Sequence, residues 1–244
     1  MKRPLSAVML AGTIRRSPLH EALSVHVLSL PVGRQGTLLD AWLEALGSVR
    51  GLNDIRAVVN TSSDVEMVES TIGNRPRDGR PSIGLIAEPA AWRGAGGILR
   101  DVASDLSDDS IIVVCEAKRL PPQSLQPLVD AFEQRGEEIA GVVGVCGRDE
   151  PAGVYAFTRS AIGLIPSIGY FDMKEQFLPA LCRSGGRVLT ARLCESVWRL
   201  GDLDTYLASV RQSLACFSSL ILLARWERCC GRYLPLRCGL KGGG

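Results

Sequence analysis

The stretch from Ser6 to Val32, SAVMLAGTIRRSPLHEALSVHVLSLPV, decides how the rest of the chain is read. Ala7-Val8-Met9-Leu10 is a short apolar run without a charge, which predicts a strand buried in a parallel sheet. It stops at Ala11-Gly12, and a basic loop, Thr13-Ile14-Arg15-Arg16-Ser17-Pro18, follows directly. A small residue at the end of a strand lets a ligand approach the backbone, and two guanidinium groups beside it suit a phosphate. An ordinary strand-to-helix connection is built in the same way, so this segment alone leaves both readings open.

Composition narrows the class. At 244 residues the chain has ample capacity to bury a core. A net charge of +2, with acidic and basic residues interspersed, gives no expectation of nucleic acid or of a membrane surface as partner. No segment reaches the roughly 18 apolar residues of a membrane span, and only a few apolar residues precede Gly12. The eight cysteines fall mostly inside apolar runs and read as free, buried thiols in a reducing cytoplasm.

From Leu38 the chain alternates. Leu38–Leu46 carries apolar residues at helical spacing before Gly47, Ile55–Val59 is a β-branched run, and Ser62–Ile72 reads as a helix capped by Ser62 or Ser63. Ile83–Ala87 and Ile111–Val114 are two further strands, and Ile98–Leu106 and Ser124–Gln134 two further helices. This predicts an α/β fold, Rossmann-like, with a mostly parallel sheet and helices on both faces. Ala7–Leu10, Ile83–Ala87 and Ile111–Val114 are expected to be neighbouring central strands. Beyond Ile139 come two strands joined by a polar turn, Ile139–Val145 and Gly153–Phe157. Helices at Ser160–Ile165 and Lys174–Cys182, a strand at Arg187–Leu193 and a helix at Leu203–Leu214 complete the core. Residues 1–213 therefore read as one α/β unit and 214–244 as an appendage of different character.

Two stretches carry ligand chemistry on their own residues. Glu88-Pro89-Ala90-Ala91-Trp92-Arg93-Gly94-Ala95-Gly96-Gly97-Ile98 places small residues between a strand and a helix. Such residues allow close backbone approach, and the amides of a helix start favour an anion, although a merely tight loop has the same composition. Glu116 follows the strand Ile111–Val114, and the carboxyl end of a parallel strand is where open α/β sheets bind ligands. A plain surface glutamate is the alternative. His20 and His26 read as loop residues, and Cys229, Cys230 and Cys238 lack metal-ligand spacing.

The order of these motifs resembles the sugar-1-phosphate nucleotidyltransferases, the enzymes that make nucleotide sugars. Their opening, LAGGxGTRLxPLT followed by KPLLPV, is matched by Leu10, Ala11, Gly12, an arginine (Arg15 or Arg16), Pro18-Leu19 and Leu30-Pro31-Val32. About two residues of the glycine turn are missing, and Val27-Leu28 stand where the family has Lys-Pro. The segment at Gly94–Gly97 is similar to the family's turn against base and sugar. Pro151-Ala152-Gly153-Val154-Tyr155-Ala156-Phe157 is similar to the strand whose glycine admits the sugar.

The resemblance implies roles. Arg15 and Arg16 would be catalytic. Leu10, Ala11, Gly12, Gly94, Ala95, Gly96 and Gly97 would bind nucleotide, and Gly153 the sugar. Glu116 stands where the family has the first Mg²⁺-binding aspartate, and Asp202 is the remaining candidate for the second. Asp202 reads equally as a helix start, with acids near the positive dipole end. The family's second aspartate aligns with Arg199, a charge reversal beside a dication. The lysine that holds the sugar phosphate has no counterpart, and Arg148 is the nearest cation in the shortened stretch. The implied partners are a nucleotide or nucleotide sugar and a sugar 1-phosphate, in a cytoplasmic protein for which a homo-oligomer is allowed. Three readings follow: a divergent transferase, a non-catalytic nucleotide-sugar binder in a regulatory or structural role, and an interaction protein with a vestigial pocket. Were Arg199 to point at Glu116, the two would pair and a fixed cation would fill the metal's place.

Overall fold

A computed structural model describes residues 3–12, 18–32, 36–72, 81–88, 92–135 and 139–211. Arg15, Arg16 and the 214–244 appendage lie outside the described residues. The strands are β1 (Leu5–Leu10), β2 (Leu52–Val59), β3 (Ser82–Ala87), β4 (Ile111–Glu116), β5 (Ile139–Cys146), β6 (Glu150–Thr158) and β7 (Arg187–Cys194). They form one sheet in the order β3-β2-β1-β4-β6-β5-β7. β1 runs parallel to β2 and β4, and β2 parallel to β3. The hairpin strand β6 lies antiparallel to both β4 and β5, and β7 returns parallel to β5.

One expectation needs correction. β1 and β4 are central neighbours, but Ile83–Ala87 is not beside them. β2 lies between, and β3 is an edge strand. The reason is visible in burial: β1 and β4 are almost wholly buried, whereas no residue of β3 is more than half-buried.

Alternation along the strands feeds two cores. Ala7, Met9, Ile55, Ala57, Val113 and Cys115 face one layer, which also holds Trp42 and Leu46 of α2 (Leu38–Gly47) and Leu128 and Phe132 of α5 (Gln126–Arg135). Val8, Val58, Ile112, Val114, Tyr155 and Phe157 face the other. That layer contains Leu99 of α4 (Gly94–Val102), α6 (Arg159–Ile162), Phe177 of a π-helical turn (Met173–Phe177) and Leu181 of α7 (Leu178–Arg183). The first layer also receives the short α1 (Pro18–Leu23) through Leu19, and α3 (Ser62–Ile72) through Val68.

Capping is more local than expected. Asp64 N bonds to Thr61 Oγ1 while Asp64 Oδ2 accepts from Thr61 N, so Thr61 caps α3 rather than Ser62 or Ser63. Thr37 and Asp40 form the same reciprocal pair on α2. Gly94 already starts α4, four residues earlier than Ile98. The last helix described, α8, covers 203–211.

The cysteines also depart from the expectation of free thiols. Cys146 and Cys194 are disulfide-bonded across the ends of β5 and β7, with Cα atoms 4.7 Å apart. Cys115 is a buried thiol and Cys182 an exposed one. Among the described residues, no helix is long and apolar enough to cross a membrane.

Candidate functional site

The carboxyl ends of the parallel strands share one edge. Leu10 is in register with Val58 on one side and with Glu116 on the other. The chain leaves β1 toward β2 and β3, then crosses back to β4, so β1 and β4 flank the topological switch point where such sheets bind ligands. Gly12 and Glu116 therefore stand on the same edge. β6 runs the other way, and the pairing of Cys115 with Val154 brings Gly153 to that edge as well.

Glu116 is the electrostatic centre. Its Oε2 accepts from Arg119 Nε at 3.0 Å, and its Oε1 accepts from the Tyr155 hydroxyl at 3.1 Å. Lys174 Nζ lies 2.6 Å from the same Oε1. Burial alone would push the Glu116 carboxyl up, but Lys174, Arg119 and the Tyr155 hydroxyl outweigh it and hold the carboxyl below its ordinary range. Tyr155 responds in the opposite sense: burial first, then the neighbouring carboxylate, push its hydroxyl upward, so it stays a neutral donor.

Arg119 is also what occupies Gly153. Its side chain is only 4% exposed, and Nη1 donates to the Pro151 carbonyl at 3.2 Å. Gly153 has φ +76, and a Cβ there would overlap Nε and lie 2.5 Å from Cδ of Arg119. The glycine admits an arginine of the chain itself. From the other face, Trp42 Nε1 bonds the Arg119 carbonyl at 3.0 Å.

The glycines of α4 have an internal reason too. The Gly96 amide donates to the Phe171 carbonyl at 2.9 Å and that of Gly97 to the same oxygen at 3.3 Å. A Cβ at Gly94, where φ is +69, would come 2.7 Å from this oxygen. Phe171 N returns a bond to the Arg93 carbonyl, and Arg93 Nη1 donates to Gly169 O at 2.7 Å while its guanidinium grips Asp101. The helix start and segment 169–172 are thus strapped together. A small-residue turn was legible in the sequence, but what approaches it here is Phe171. Gly12 is similar, since a Cβ there would lie 2.6 Å from Asn60 Oδ1.

The remaining candidates are dispersed. Asp202 is exposed, and its Oδ1 accepts from the Thr205 amide and hydroxyl at 2.8 Å each, so it caps α8. The Thr205 bonds hold its carboxyl below the usual value. Arg199 forms a bridge with Arg119 along the backbone, but its guanidinium goes to Glu150 at 3.6 Å. The cation on Glu116 is instead supplied by Arg119 and Lys174.

These donors do not fit a magnesium ion. Both oxygens of Glu116 are engaged, Asp202 serves a helix cap, and no group of three or more His, Cys, Asp and Glu among the described residues is arranged for a metal.

With this geometry in hand, solved structures give the fold. The chain is similar to a Bacillus anthracis protein assigned as a glucose-1-phosphate thymidylyltransferase and solved with sucrose (16% identity, 86% of this chain and 95% of the other, TM-score 0.70). It is also similar to the inositol-1-phosphate CTP transferase of T. maritima (11%, 86% and 98%, TM-score 0.60). A third likeness is to apo UDP-glucose pyrophosphorylase (10%, 87% and 98%, TM-score 0.62). No protein-family model and no curated protein matches the sequence. The chain has the nucleotide-diphospho-sugar transferase fold, over nearly the full length of these neighbours.

Proposed function

We propose that this protein binds the phosphate-bearing part of a nucleotide or nucleotide sugar at the carboxyl edge of its sheet, without metal-assisted transfer. The observation that carries the reading is the Glu116 cluster: one carboxylate held by Arg119, Lys174 and Tyr155. Two cations, Arg119 and Lys174, stand on the one carboxylate of Glu116, with Asp172 the nearest further carboxylate, and an anion can draw on both cations. A guanidinium and an ammonium hold phosphate oxygens without a metal.

Transfer of a nucleotidyl group to a sugar 1-phosphate needs charge neutralisation at the reacting phosphorus. Here the carboxylate of Glu116 is already neutralised from within, and Gly153 is covered by Arg119. The reading is therefore a relative of the transferases that binds as a sensor or partner. A cytoplasmic location belongs to the same proposal.

The test is a calorimetric titration of the full chain with nucleoside diphosphates and nucleotide sugars, in EDTA and then in Mg²⁺. It is run beside an assay for labelled pyrophosphate exchange. Equal affinity in both buffers with no exchange is the expected result. Exchange activity, or binding that appears only with Mg²⁺, overturns the proposal.

A further inference from the structure

We infer that Lys174 is the phosphate-holding residue of this chain, a latch that leaves Glu116 for the phosphate of an incoming ligand. The inference rests on the binding reading above and names the residue and the ligand chemistry.

The two cations on Glu116 differ in kind. Arg119 is locked: it is buried, bonded to Glu116 and Pro151, and laid over Gly153. Lys174 is 46% exposed, and its ammonium is held by the ion pair to Oε1. Its backbone, in contrast, is fixed. Asp172 Oδ1 accepts from the amides of Lys174 and Glu175 at 2.7 and 2.8 Å, and Phe177 N bonds Asp172 O at 2.9 Å. The aliphatic stem can therefore swing while the turn that carries it stays in place.

Departure of the ammonium does not strand the carboxylate. Tyr155 donates to the same Oε1 that Lys174 contacts, and Arg119 remains on Oε2, so each oxygen keeps a donor. This matters because a buried acceptor left without a partner is costly. A monoanionic ligand would only exchange one single charge for another. A phosphate monoester carries about −1.5 to −2 at pH 7 and a diphosphate about two or more charges, with several acceptor oxygens each, so Lys174 gains by moving to it. No covalent bond forms or breaks in this exchange.

The experiment uses inorganic pyrophosphate as probe, titrated in EDTA into the full chain and into Lys174→Ala and Lys174→Arg. Lys174→Ala is expected to bind about tenfold more weakly or worse, and Lys174→Arg within about threefold of the unmodified protein. Melting curves of both variants show whether the fold is kept. The latch is overturned if a folded Lys174→Ala binds pyrophosphate as tightly as the unmodified chain. In that event, nucleoside diphosphate binding by the unmodified chain in EDTA leaves the binding reading standing, whereas its absence removes both.

Discussion

Truncating Arg119 to alanine tests whether the chain fills its own site. The side chain is 4% exposed and bonds Glu116 Oε2 at 3.0 Å and Pro151 O at 3.2 Å. Losing a charge-assisted bond costs about 2 kcal/mol, and an orphaned carbonyl about 1 kcal/mol. The void left over Gly153 adds about 1 kcal/mol of lost packing. Glu116 keeps Lys174 and Tyr155, so the larger penalty of a stranded carboxylate does not apply. The sum is about 4 kcal/mol, or a melting midpoint lower by roughly 10 °C for a domain of this size. Urea unfolding with an unchanged slope measures it. Arg199→Ala is the internal control. Its pair with Glu150 spans 3.6 Å between side chains 62% and 56% exposed, so the loss should stay under about 0.5 kcal/mol. A loss below about 1 kcal/mol for Arg119→Ala, or equal losses for the two arginines, would refute the reasoning.

Two further outcomes are expected. Gly94→Ala sets a Cβ against the Phe171 carbonyl at φ +69 and should cost about 3 kcal/mol, with faster amide exchange at Gly96 and Gly97; exchange protection unchanged at those amides would contradict the strap. His26 is held neutral: burial, opposed by Asp64 and assisted by His20 and Lys118, lowers it from 6.5 to about 4. Its folded value lies below the unfolded one. Stability is therefore complete above pH 6.5 and falls by about 3 kcal/mol as the pH drops toward about 4. His26 Nδ1 accepts from the Leu28 amide, a cap that asparagine reproduces, so His26→Asn should flatten that limb; an unchanged pH profile in the variant sinks the assignment.

The sheet was legible because burial writes itself into composition. Val8 and Met9 point to opposite layers yet both are apolar, which is what a strand covered on two faces demands. The edge position of β3 was not legible, since Ile83–Ala87 has the same residue types, and its exposure depends on what lies beyond it. Glu116 was found from its place after a strand. Its partners were not, except in part. Tyr155 is opposite Val114 in the register, so the hairpin pairing could have brought it within reach. Arg119 lies three residues on, in a turn whose course depends on the bridge to Arg199. Lys174 comes from a turn far along the chain, and no spacing in the sequence announces a contact of that range. The glycines were legible as places of close approach, because a missing Cβ shows that something comes near without showing what it is. At Gly153 it is Arg119, and at Gly94 it is Phe171.

Pyrophosphate affinity of Glu116→Gln in EDTA tests the central claim most directly. Glutamine keeps the size and an acceptor for Arg119 but removes the charge that competes for Lys174 and repels an anion. The account predicts tighter binding, by about fivefold or more, because the cluster loses one negative charge while both cations stay. Weaker binding in a folded Glu116→Gln, or binding that returns only when Mg²⁺ is added to the unmodified chain, would show that the carboxylate serves a metal and would contradict the account.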